Sequence, residues 1–192
     1  MVKHCVEGCT GHCCMFYSVF VTDNDVKRMM KETKLHPKRF LELHSPSAER
    51  QGFYPKVCVS SEWKVLGLKH NKYELSCYFF MKNAGMCGVN KSKPLVCRTY
   101  PFSTDKEEQL MHMNGTLCPV KWMPENKKQT LKLIKQLRKE KDEYSKKVLK
   151  WNQNYYWHDF DTFLDYILFD KNPNGYKTKK SLRHKLRNGL RI

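Results

Sequence analysis

The sequence predicts an α+β fold: a small, irregular, Cys-rich domain of short strands and helices, followed by two C-terminal helices and a basic tail. Three observations carry this expectation. All nine cysteines precede residue 119, and four of them fall in the single stretch CVEGCTGHCC. The same part of the chain breaks into short apolar and aromatic runs separated by Gly, Pro and polar residues, the pattern of short strands and turns. Beyond Pro124 the apolar residues recur at helical spacing instead.

The elements follow in order. The run MFYSVFVT, rich in aromatic and β-branched residues, reads as a strand. Thr22 and Asp25 then have capping-box spacing, with Val26, Met29 and Met30 placed to face a core. HPKRFLELH reads as a short helix with Pro37 in its first turn, and residues 44–52 as a polar loop. Segments 53–59, 63–68 and 73–80 read as strands, with HNK a hairpin turn between the last two. From Asn83 to Pro119 the text is punctuated by Gly, Pro and Cys and predicts irregular backbone. Leu133, Leu137, Tyr144, Val148 and Trp151 share one face of a long helix, and a second amphipathic helix covers about residues 157–169. Three segments result: 1–124, which carries the cysteines; 125–170, an amphipathic helical extension; and 171–192, a basic and flexible tail.

The formal charge of +17 is uneven. From Lys171 to Ile192 there are eight Lys and Arg and no acidic residue, whereas residues 151–170 hold four Asp and no Lys or Arg. The positive excess therefore sits away from the cysteines. Such a tail suits phosphates or an acidic protein surface, but no RRM, KH or helix-turn-helix signature accompanies it. No apolar run is long enough to span a bilayer. The opening MVKHCVEG lacks the apolar region of a secretory signal, so a cytoplasmic protein is expected.

In a reducing compartment, clustered cysteines bind metal or do redox chemistry more often than they form disulfides. An odd total also fits complete pairing poorly. The spacings are C-x3-C-x3-CC for Cys5, Cys9, Cys13 and Cys14, then C-x9-C-x9-C for Cys77, Cys87 and Cys97, then Cys118. None is the C-x2-C of zinc ribbons or thioredoxin motifs. His12 occupies the third position of the C-x3-C-x2-C pattern of radical S-adenosylmethionine enzymes, which excludes that reading. Gly8 and Gly11 favour a loop able to wrap an ion and aim backbone amides at sulfur. The 1–124 segment is thus expected to be a metal-binding domain. Cys58, in the apolar run PKVCV, reads instead as a buried inert thiol. Met29, Met30 and Met81 read as core filler. His4 and His12, beside cysteines, are left out of the ligand set.

CVEGCTGHCC, SCYFF, GMCGVNKSKPLVCRTYPF and a later LCP together resemble the YkgJ-like cysteine-cluster family, a zinc- or iron-chelating domain, over about residues 5–119. The resemblance implies ligands at Cys5, Cys9, Cys13, Cys14, Cys77, Cys87, Cys97 and Cys118. It implies an iron–sulfur cluster, of the four-iron type or another, or zinc as the cofactor. Where the family has Arg-Pro, this chain has Lys93-Pro94, which keeps the charge but not the bidentate fork. Arg98 is expected in a structural pairing, with Tyr100 and Phe102 packed over the site to limit water. One branch of the family is associated with flagellin lysine N-methylation.

Three functional readings follow. The first is a metal-binding protein holding an iron–sulfur cluster or zinc, in electron transfer, metal handling or as a scaffold. The second is a cluster-dependent protein-modifying enzyme of the lysine N-methylase kind. The third is a zinc-stabilised module that binds nucleic acid through its basic C-terminal segment.

Overall fold

The structure is a computed structural model and describes residues 11–46, 54–71, 75–118 and 122–175. Cys5 and Cys9, His4 and the basic tail from residue 176 onward lie outside the described residues.

The elements run α1 (His12–Phe16), α2 (Asp23–Thr33), β1 (Leu41–His44), β2 (Val57–Val59), β3 (Glu62–Leu68), β4 (Phe80–Met81), β5 (Met86–Cys87), α3 (Leu95–Thr99), β6 (Phe102–Thr104), β7 (Leu110–His112), α4 (Lys127–Asn154) and α5 (Phe160–Phe169). This is the mixed α+β architecture expected, with short strands in small sheets and the long helices last. β3 pairs with both β1 and β2, and β4–β5 and β6–β7 are separate hairpins. Among the described residues, no helix is long and apolar enough to cross a membrane.

The chain divides into two compact units: Met1–His44 with Leu66–Tyr144, and Ser45–Val65 with Ser145–Ile192. β3 and α4 each contribute residues to both.

In the first unit, Thr22 caps α2 as its spacing predicts. The Asp25 N–H donates to Thr22 Oγ1 (3.2 Å), and the Thr22 N–H donates to Asp25 Oδ2 (3.1 Å). Val26 and Met29 are buried from that helix, while Met30 is only half-buried. The capping carboxylate also anchors α3, because the Leu95 N–H donates to Asp25 Oδ1 (2.8 Å). Arg28 completes the network. Its Nη2 donates to Asp25 Oδ1 (2.6 Å), and its guanidinium forks onto both oxygens of Glu140 in α4 at 2.8 Å. Two buried carboxylates from separate elements thus share one cation, which offsets the cost of burying them.

The second unit is organised by Trp151, which is fully buried. Its Nε1–H donates to the Cys58 carbonyl (2.7 Å), and Asn152 bonds the Cys58 N–H and the Lys56 carbonyl at 2.8 Å each. Phe163 and Tyr166 of α5 pack against the indole. Cys58 is accordingly a buried packing thiol, as PKVCV suggested, and burial raises its pKa.

Five local expectations need correction. MFYSVFVT is not a strand. Its start belongs to α1, which follows Gly11 at φ 74°, and only Val19–Val21 runs extended beside β3, through a bridge at Phe20 and Gly67. HPKRFLELH is a 3-10 turn over Pro37–Arg39 followed by strand β1, not a helix. Between residues 73 and 80 the described part has a lone bridge at Cys77 and only the first residue of β4, Phe80, rather than a full strand. The Asn83–Pro119 stretch has more order than expected: β5, α3 and the β6–β7 hairpin. Met81 is not core filler, since it is 45% exposed.

The helical phase of α4 holds at Leu137, Tyr144, Val148 and Trp151. Ile134, rather than Leu133, is the buried residue of the first turns. α5 begins at Phe160, capped by the Asp159 carboxylate on the Thr162 N–H (3.0 Å).

Candidate metal centre

The described cysteines other than Cys58 belong to the first unit, and short backbone contacts tie their segments together. Gly11 comes so close to Phe80 that a Cβ there would overlap the ring. This fixes the start of α1 against β4 and with it the Cys13–Cys14 pair. The Cys77 N–H then donates to the Cys14 carbonyl (2.7 Å). From Cys77 the chain turns into β4, where Phe80 stands opposite Cys87 of β5. Cys97 lies within α3, held at its first turn by Asp25. Cys118 follows the β6–β7 hairpin, and its N–H donates to the Tyr100 hydroxyl (3.1 Å). Tyr100 meets Tyr17, just past α1, edge to face at 5.7 Å.

Electrostatic coupling links the thiols of Cys13, Cys14, Cys77 and Cys97 and reaches Cys87 through Cys77 and Cys97, while among the described residues no three of these sulfurs stand within 4.8 Å of one another. Cys14 donates its S–H to Cys13. That bond holds the Cys13 thiol down at about 7, helped by the Lys93 ammonium and opposed by burial, and it pushes Cys14 up. Burial raises Cys77 to about 11 against a stabilising Phe79 amide, with the Cys87 and Cys13 charges adding to the rise. Cys97 is raised well above its ordinary value, first by burial and then by Cys77, Cys13 and Cys87, with Lys93 opposing. None of the seven described cysteines forms a disulfide.

Sulfurs enclosed together in this way lose hydration and repel one another once ionised. Thiolates survive in such a place when a cation neutralises them. The donor set therefore fits a soft metal or a cluster, for which thiolate is the preferred ligand. Lys93, 7% exposed, supplies fixed positive charge beside two of the thiols. The sequence singled it out as Lys93-Pro94 within GMCGVNKSKPLVCRTYPF, but not as a charge beside the thiols. Phe102 is buried, with its ring edge to face with those of Trp122 and His112. A cavity of about 660 Å³ opens beside Cys118, bordered by His112, Asn114, Thr116, Trp122 and Met123.

A thiol-rich α+β domain of this kind defines a metal-chelating class of protein. The chain belongs to the CxxCxxCC family, whose description reads "Putative zinc- or iron-chelating domain"; the match spans residues 4–119. Comparison with curated proteins found no match. Comparison with solved structures found none either.

Proposed function

We propose that the protein holds an iron–sulfur cluster through its clustered cysteines and uses it for electron transfer. What supports this reading is that backbone contacts bring the segments of Cys13–Cys14, Cys77 and Cys87 beside one another, with Cys97 coupled to their thiols electrostatically. A single structural zinc takes four ligands. Five thiols, with Cys118, Cys5 and Cys9 still to be added from the family pattern, suit a polynuclear centre. When bound, the cluster supplies one-electron exchange. The chain's own residues do the rest. The Phe79 amide supports the Cys77 sulfur and Lys93 offsets thiolate charge, two of the influences that set a cluster's potential. A reducing, cytoplasmic setting would keep such thiols available as ligands.

The test is purification without oxygen, followed by iron, sulfide and zinc analysis and a visible spectrum. Iron with matching sulfide, and a broad absorption that bleaches on reduction, is the expected result. Colourless protein with stoichiometric zinc overturns the cluster while leaving chelation intact. Cys87→Ser should lose most of the bound metal, because removing a ligand removes folding free energy as well. Full metal content in that variant would remove Cys87 from the ligand set.

A further inference from the structure

Distinct from the thiols, β1 and the residues after β3 bring together a set of nitrogen and oxygen side chains able to ligate a metal. Glu42 and His44 are two apart on strand β1, so their side chains project from the same face. His70 follows β3 by two residues. One ligating atom from each of Glu42, His44 and His70 lies within 4.8 Å of the other two. Glu42 Oε1 is 3.6 Å from His44 Nε2 and 3.6 Å from His70 Nδ1.

We infer that Glu42, His44 and His70 form a nitrogen- and oxygen-liganded site for a divalent first-row transition ion, separate from the thiol centre. The spacing favours an ion over a hydrogen bond. At 3.6 Å the carboxylate oxygen is too far from either ring nitrogen for a good hydrogen bond. Two ligands each about 2.1 Å from a tetrahedral ion stand about 3.4 Å apart, so a small closing movement suffices.

The surroundings keep the three side chains close together. The imidazole of His44 lies against the backbone of Gly67, where a Cβ would come 2.7 Å from Nε2 and 2.6 Å from Cδ2. Only glycine admits the ring there. Phe20 meets the same ring edge to face at 5.7 Å, and the His44 and His70 rings are 5.3 Å apart and nearly perpendicular. The His70 N–H donates to Glu42 Oε1 (3.3 Å), steadying the carboxylate. His44 Nε2 is 3.0 Å from the Leu68 carbonyl, to which it donates when protonated. To serve as a ligand His44 would give up that proton and bond, its ring shifting so that Nε2 faces Glu42 Oε1 rather than the Leu68 carbonyl.

Two imidazoles and one carboxylate suit zinc or ferrous iron and leave coordination positions for water or a further ligand. His70 is also the bridge partner of Cys77, so the site adjoins the thiol centre through one pair of residues. The inference does not depend on which metal the thiols hold.

The test uses the full chain with its thiol centre already loaded, titrated with cobalt(II). One further equivalent should bind with visible ligand-field bands and without a sulfur-to-cobalt charge-transfer band. His70→Ala and Glu42→Gln should each weaken that binding by about a hundredfold or more, above the ten- to hundredfold that losing an outer partner costs. The iron or zinc of the thiol centre should stay unchanged in both. Absence of the extra equivalent in the wild type, a sulfur charge-transfer band, or unchanged affinity in both variants would each overturn the site. The wild-type titration decides the matter even where a variant folds poorly.

Discussion

Lys93 shows how much one side chain can matter at the thiol centre. It is buried and lowers both Cys13 and Cys97, so its ammonium stabilises thiolates that burial and mutual repulsion disfavour. A lysine does this as a point charge, without the planar fork an arginine would bring. Lys93→Met keeps the volume and removes the charge. Metal affinity should fall by about ten- to a hundredfold, the range for losing a partner just outside the ligands. Lys93→Arg should retain most of it. Competition with a chelator of known affinity measures both. Equal affinity in all three proteins would mean that Lys93 is buried for packing alone.

At the scale of elements, α3 owes its position to the Asp25–Arg28–Glu140 network, because Asp25 caps α2 and holds the first turn of α3 with one carboxylate. Arg28→Met leaves Asp25 fully buried and Glu140 nearly so, without their shared cation. Breaking a buried pair by removing one partner costs about 3–5 kcal/mol. The partly exposed Arg28 places the expected loss near the lower end, about 3 kcal/mol. Urea unfolding should show the drop, and metal loading should fall with it, since α3 carries Cys97. A stable variant with reduced loading would separate the two effects and refute this coupling. The cap itself was legible, because Thr22 and Asp25 need only local spacing to find each other. So was the apolar face of α4, which repeats over many turns. β1 was not. FLELH after Pro37 suits a helix when read alone, and pairing with β3 makes it a strand, as the Lys69 N–H on the Phe40 carbonyl records. That misreading also hid Glu42 and His44, which share a face at a spacing of two only in extended chain. The cysteine-cluster family was legible because cysteine type and clustering carry the signal whatever the backbone does. The turn of Cys13 and Cys14 onto α1 was not, since it depends on Gly11 meeting Phe80 far along the chain.

Across the whole molecule, the two units are stabilised by different means. The second rests on apolar packing, with Trp151, Phe163 and Ile167 fully buried and the indole bonded to the Cys58 carbonyl. The first has an apolar core of its own around Val26, Met29 and Leu95. Its cysteine-bearing segments, however, are two-residue strands and a five-residue helix, too short to be stable without partners. A metal held there, as proposed, would substitute for packing, and its removal would leave buried thiols that repel one another. Stripping the metal should therefore speed amide exchange in α3 and the β4–β5 hairpin by on the order of a hundredfold, as local opening becomes cheap. α5 should keep its protection, because none of its stability passes through a thiol ligand. Hydrogen exchange read by mass spectrometry on loaded and stripped protein distinguishes the outcomes. Equal loss of protection in α3 and α5 would mean that the metal stabilises the chain as one cooperative body, and unchanged exchange in α3 would mean that the cysteines hold their places without it.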